Sequence, residues 1–348
     1  MISRISIIAA AGFAGLAGCA PPIEPVGPMG EQVTSSPASD ATGALFIAGK
    51  FGNTLARIDL ATGRETARVA SCANPHELAT SPDGAHVALA CYGGTTLDIF
   101  RTGDLAKVKT IELGENARPH GIVWHANRDL YATAEGRKSV FWVRDPLGKA
   151  EAFEYGSGQE GTHMLVVSPD ARHAWTTDLG SKTVTRIDLL TRRAPQSVEV
   201  GIEPEGIALS GDGATLYVSA RGSDEVYAIA PQSMEVRRTI PVGDFPLRIA
   251  IRPQGDFAIT SDLADGALSV IDLRSGTVAR QIGVSSRDEA QERFQVTILW
   301  SPDGERIYVA ETGTDTIAEV DFSTGKVLRR FSGGDGGDGV AILGGADG

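Results

Sequence analysis

The chain has 348 residues, 42% hydrophobic and 22% charged, with a formal net charge of −12. That balance is globular and excludes disorder throughout. The acidic excess disfavours a protein that wraps nucleic acid, which needs clustered Lys and Arg to displace counterions.

In chain order, residues 1–18 read as a signal peptide. Arg4 is a short basic start, and Ile5 to Leu16 is an apolar stretch too short for a stable bilayer span. It ends in Leu16-Ala17-Gly18-Cys19. Small residues before a cysteine at this point resemble the lipobox of bacterial lipoproteins. The resemblance implies cleavage before Cys19 and acyl chains on that residue, which anchor through buried CH₂ groups. Ala20 rather than Asp follows, so the same resemblance implies an outer-membrane lipoprotein of the cell envelope, expected to face the periplasm. Residues 19–43 form a tether containing Pro21, Pro22, Pro25, Pro28 and Pro37, without apolar periodicity. Two cysteines remain, Cys72 and Cys91. In an exported protein they either form a disulfide or stay as two buried thiols, and the spacing leaves both open.

Residues 44–348 repeat themselves. Aligned segments start at Pro75, Pro119, Thr162, Pro204, Pro246, Gln295 and Gly337, at intervals of 44, 43, 42, 42, 49 and 42 residues. Each unit opens with a short apolar strand such as Gly206 to Leu209. A Pro-Asp-Gly-like turn follows, then a β-branched or aromatic strand such as Leu216 to Ser219, then an alternating strand ending near Ile-Asp, then an outer strand. This period and grammar predict four-stranded blades of an all-β propeller. Six units are complete. Leu45 to Val69 supplies three strands of a seventh, and Gly339 to Leu343 supplies its missing first strand. The expectation is a seven-bladed ring closed by the C-terminal strand joining the three N-terminal ones, which removes free edges.

Tyr217-Val218-Ser219-Ala220, Tyr308-Val309-Ala310-Glu311 and Tyr131-Ala132-Thr133-Ala134, with Ser-Pro-Asp-Gly at Ser81–Gly84 and Ser301–Gly304, resemble the YVTN-repeat, or surface-layer-type, propeller family. The resemblance covers nearly all of the chain after the tether. It is specific for fold and weak for function, because propellers host many unrelated activities.

On that fold, the loops entering each inner strand face the mouth of the central channel. The second residue of each aligned segment lies there: His76, His120, His163, Glu205, Leu247, Val296 and Asp338. Half of the six histidines fall at this one register. Turns on the same face add Glu135, Asp178, Arg221, Asp262 and Glu311, and Arg248 and Arg118 stand close by. The ligand-binding set expected from this is His76, His120, His163, Glu205, Arg248, Asp178, Arg221 and Asp262. His76, His120, His163 and Glu205 are donor types that suit a divalent metal. The bland alternative is that each His only hydrogen-bonds a neighbouring blade. The longer interval before Gln295 inserts Ser285 to Arg293, read either as a lid or partner contact, or as a tolerated charged insertion.

Several motifs fail. Gly334 to Gly339 matches G-x-G-x-x-G but precedes a strand, so no helix N-terminus awaits a phosphate. Neither H-E-x-x-H nor G-x-S-x-G occurs. Two readings compete. The first is a monomeric binding or scaffold module at the outer membrane, taking a small anionic ligand, a metal or an envelope protein. The second is a lactonase-type hydrolase, since the stretch from Thr162 to Ile187 resembles seven-bladed lactonases. Its catalytic candidates are His120, His163, Glu205 and Arg248.

Overall fold

The structure, a computed structural model, describes residues 41–344. The signal peptide, Cys19 and the tether up to residue 40 therefore lie outside the described residues. Each of the seven sheets has four antiparallel strands. The inner strands are Pro75–Thr80, Pro119–Trp124, Thr162–Val167, Pro204–Leu209, Pro246–Ile251, Gln295–Trp300 and Gly337–Gly344. Their first residues coincide with the seven segment starts read from the repeat. Successive inner strands neighbour one another around a closed circle. Blade 1 is the composite one: Gly337–Gly344 pairs antiparallel with Gly43–Gly49, which pairs with Thr54–Asp59. Blades 2 to 7 follow in chain order.

Successive residues of a strand point to opposite faces, and both faces of a blade are apolar: Ala44, Phe46 and Ala48 pack toward blade 2, Leu45 and Ile47 toward blade 7. One core cluster joins Leu97 and Ile99 of blade 2 to Leu130, Phe141 and Val143 of blade 3. Another joins Leu45 and Ile47 of blade 1 to Tyr308 and Ile317 of blade 7 and seals the closure. Two of the tryptophans bridge blades through the indole N–H: Trp175 donates to Pro231 O at 3.1 Å and Trp300 to Ala250 O at 3.2 Å.

Two local devices place the inner strands. Every inner strand of blades 2 to 7 has a register shift against the second strand just after its first residue, as between Thr162 and Leu165. This bulge bends the strand and re-aims its side chains. The second device is a hydroxyl from the second strand of blades 3 to 6 that bonds the next blade's inner strand. Thr133 Oγ1 donates to His163 O at 2.5 Å, Thr177 Oγ1 to Glu205 O at 2.8 Å and Ser219 Oγ to Leu247 O at 3.3 Å. Ser219 and Thr133 occupy the third place of two of the YVTN-like stretches, where that place carries an inter-blade bond; the third stretch has Ala310 there. Glycine at the third residue of a segment serves the same close approach. A Cβ on Gly206 would lie 2.9 Å from Arg248 Cα, and one on Gly121 would lie 2.8 Å from His163 O.

The insertion is not irregular. Arg287–Arg293 forms a short helix, α1, with Ser286 and Glu289 making a reciprocal capping box. Buried Ala290 and an Arg293–Glu311 ion pair at 3.3 Å dock it on the blade 7 rim.

Candidate functional site at the channel mouth

The bulges deliver three imidazoles from consecutive blades to one place. The rings of His76 and His120 lie 4.9 Å apart and those of His120 and His163 3.8 Å apart. Tyr92 caps the row, its ring 4.5 Å from His76 and edge-on to His120 at 5.4 Å. Tyr92 follows Cys91 directly, and Cys91 is bonded to Cys72 in a disulfide with Cα atoms 5.6 Å apart. The bridge ties the loop before His76 to the strand end that presents Tyr92.

From His163 a chain of charges runs around and across the channel. His163 Nδ1 pairs with Glu135 Oε1 at 2.5 Å, and Tyr92 Oη donates to Glu135 Oε2 at 2.7 Å. Arg118 in turn donates to Tyr92 Oη. On the other side His163 Nε2 lies 3.6 Å from Glu205 Oε1. Arg248 donates to Glu205 Oε1 at 2.6 Å and to Glu77 Oε1 at 2.8 Å. Glu77 sits in blade 2 and Arg248 in blade 6, so this guanidinium spans the hub. Arg221 binds both Glu203, at 3.1 Å, and Glu205, at 2.5 Å. Lys50 reaches Asp338 Oδ2 at 3.2 Å.

Protonation follows from these partners. Burial lowers the His163 pKa, but the hydrogen bond to Glu135 and the charges of Glu135 and Glu205 outweigh it and raise it overall. Burial depresses His120 well below the ordinary imidazole value, and charge on His163 and His76 adds to this. His76 is also lowered, chiefly by burial, against the pull of Asp338. Glu205 is a buried carboxylate whose desolvation is overcome by Arg248, His163 and Arg221, leaving it far below its usual value. Glu77 goes the other way: burial raises it despite Arg248. Protonation in the hub is thus favoured at His163 and disfavoured at His120 and His76.

Four buried groups within this network keep unpartnered atoms. His120 is 3% exposed and its Nδ1 has no hydrogen-bond partner; Asp338 is 2% exposed and its Oδ1 has none. Arg248 Nε and His163 Nε2 are also unpartnered, though both terminal nitrogens of Arg248 and the Nδ1 of His163 are engaged.

Of the expected ligand-binding residues, the hub brings together His76, His120, His163, Glu205, Arg248 and Arg221. Asp178 and Asp262 are placed differently. Each ends a second strand and is fully buried, with hydrogen-bond partners from its own blade. Asp178 takes hydroxyls of Thr176, Thr183 and Thr185; Asp262 takes those of Thr260 and Ser269. They brace blades 4 and 6. The four residues suited to a metal do not converge as ligands: His120 and His163 meet ring to ring. Among the described residues, the one group of three donors within 4.8 Å of one another is Cys72, Cys91 and Asp98, whose sulfurs are already joined. A cavity of 580 Å³ lies elsewhere, lined by Leu60, Pro302, Arg306 and Tyr308 at the seam of blades 7 and 1.

Sequence reasoning missed Glu77, Tyr92 and Lys50 as hub residues. Alternation along a strand predicts that neighbours point apart, whereas the bulge lets successive residues such as His76 and Glu77 both serve the hub. The available signal was a charge at the third place of two segments, Glu77 and Arg248, where blades 3 and 5 carry Gly121 and Gly206.

No protein-family model matches the chain. The seven-bladed β-propeller protein Rv1057 of Mycobacterium tuberculosis is 29% identical over 147 residues, covering 39% of this chain. The match spans about a third (35%) of that relative's length. Among solved structures, a functionally unknown protein from Desulfotomaculum acetoxidans superposes with a TM-score of 0.73 at 12% identity, over 87% of this chain and 99% of that one. A putative 6-phosphogluconolactonase from Bacteroides uniformis gives 0.69 at 18% identity, over 87% of this chain and 100% of that one. A catalytically inactive His-to-Ala variant of virginiamycin B lyase from Staphylococcus aureus, with quinupristin, gives 0.65 at 16% identity, over 80% and 92%. At these identities the likeness extends to the fold alone, and the fold is a seven-bladed β-propeller with four-stranded blades, closed by its C-terminal strand.

Proposed function

We propose that this protein is an exported, lipid-anchored propeller whose channel mouth binds a small polar molecule. The observation that carries the binding reading is His120. It lies at the centre of the imidazole row, buried and neutral, without a hydrogen bond, while the ionic groups around it are paired. A buried polar atom without a partner costs about 1–3 kcal/mol, and a bound molecule removes that cost. The anchoring part rests on the Leu16 to Cys19 sequence, and the disulfide between Cys72 and Cys91 agrees with an oxidising compartment. Native mass spectrometry of protein purified from its own envelope tests the binding part. A bound mass in the wild type that is lost in His120→Ala is expected; a clean apo mass in both, with no melting shift across a metabolite panel, overturns it. Replacing Cys19 by Ser should release the protein from the membrane fraction.

The pair His163–Glu135 favours a second reading, an acid-assisted hydrolase. With its pKa raised, His163 offers a proton rather than taking one from water. Equal rates of wild type and His163→Ala on a lactone panel would remove this reading.

A further inference from the structure

We infer that the molecule held at the mouth is a neutral, hydroxyl-rich compound, a sugar or polyol, rather than an anion or an amine. The inference deepens the binding reading and rests on it. Its basis is charge balance in the hub. Lys50 answers Asp338, Arg248 answers Glu205 and Glu77, and Arg221 answers Glu203 and Glu205. The remaining cations, His163 and Arg118, converge on Glu135, directly and through Tyr92. Each cation already has an acceptor, and each carboxylate a donor. Bringing a further charge into such a site means desolvating it without a counter-charge, which is costly.

What the hub leaves open is neutral hydrogen bonding. His76 Nδ1 lies 3.2 Å from Asn74 O, an atom that only accepts, so Nδ1 carries the ring proton. In the neutral ring the lone pair is then on Nε2, which sits 3.8 Å from Asp338 Oδ2, too far for a hydrogen bond. Oδ1 of the same carboxylate has no partner, and neither does Nδ1 of His120. Unpartnered lone pairs thus lie at the hub in blades 1 and 2, with one further imidazole, His120, having both a donor and an acceptor atom. Arg248 Nε and, on protonated His163, Nε2 are unpartnered donors. Hydroxyl groups, each able to donate and accept, match this mixture, and the ring faces of Tyr92 and the histidines suit the apolar C–H faces of such a molecule.

One scaffold with three charges tests it: glucose, glucuronate and glucosamine, titrated into the purified propeller by calorimetry at neutral pH. Glucose is expected to bind roughly tenfold or more tighter than either charged analogue. Asp338→Asn, which keeps the shape, and His76→Phe, which keeps the ring but removes Nε2, are each expected to weaken glucose at least about fivefold. The surface variant Asp104→Asn is expected to leave it unchanged. Preference for glucuronate or glucosamine overturns the inference while leaving a binding mouth. Binding by none of the three in folded protein also overturns it, and the search for a co-purifying mass then decides the broader reading separately.

Discussion

The two sides of the channel mouth share one backbone and carry opposite chemistry. In blades 2 to 5 the ring position is His76, His120, His163 and Glu205; in blades 6 and 7 it is Leu247 and Val296, which pack with Leu263 between Phe245 and Phe294. The same bulge shapes both sides, and the same inter-blade hydroxyl bond holds both: Thr133 to His163 O on the polar side, Ser219 to Leu247 O on the apolar one. The repeat therefore fixes where a side chain stands and leaves its chemistry free. Arg248 crosses from the apolar side to meet carboxylates of blades 5 and 2.

That crossing gives the largest expected effect. In Arg248→Ala, Glu205 and Glu77 lose their shared cation inside the protein. Breaking a buried pair on one side typically costs about 3–5 kcal/mol. Urea unfolding should show a loss of that size. A loss below about 1 kcal/mol, as for an exposed pair, would mean that water reaches the hub and that the two sides are not electrically distinct.

The next effect belongs to the polar side alone. The disulfide links Cys72 and Cys91, 19 positions apart, and removing a cross-link of this loop size costs roughly 3 kcal/mol. The double variant Cys72→Ser with Cys91→Ser should lower the unfolding midpoint accordingly. It should also loosen Tyr92, read as reduced protection of its neighbourhood in hydrogen exchange, while the Leu247–Val296 side keeps its protection.

Much of the fold was legible because the repeat is regular: all seven inner strands start where the aligned segments start, and the split blade was visible as three strands without a first. The candidate site was legible in part. Its ring histidines share one register with Glu205 and Asp338, and that register survives in three dimensions. Glu77 and Tyr92 were not legible, because a bulge breaks the alternation that strand reasoning assumes, and because Tyr92 reaches the hub from a turn. Asp178 and Asp262 misled for a related reason. They end strands on the mouth face, yet Thr and Ser hydroxyls of their own blades draw them inward. The helical form of Arg287–Arg293 had a local signal, Ser286 with Glu289 three positions on, that marks a capping box.

Those two aspartates allow a finer comparison of the two sides. Burial raises Asp178 to about 6, against the hydroxyls of Thr185, Thr183 and Thr176. Burial raises Asp262 further, to about 7, with fewer hydroxyls to oppose it and Asp265 adding to the rise. Both lie above the ordinary carboxylate value of 3.8, so between that value and the folded pKa the native state holds more protons than the unfolded one. Stability from each group is then complete below about pH 4 and falls as pH rises through the folded pKa. For Asp178 the fall between pH 4 and 6 is on the order of 2 kcal/mol; Asp262 extends the slope to about pH 7. Between pH 4 and 6 both groups contribute, so Asp178→Asn should roughly halve the slope there and leave the segment from 6 to 7. Asp262→Asn should remove that upper segment and roughly halve the lower slope. Unchanged curves in both variants would mean that these carboxylates are ionised in the fold, and that the threonine and serine hydroxyls around them outweigh burial.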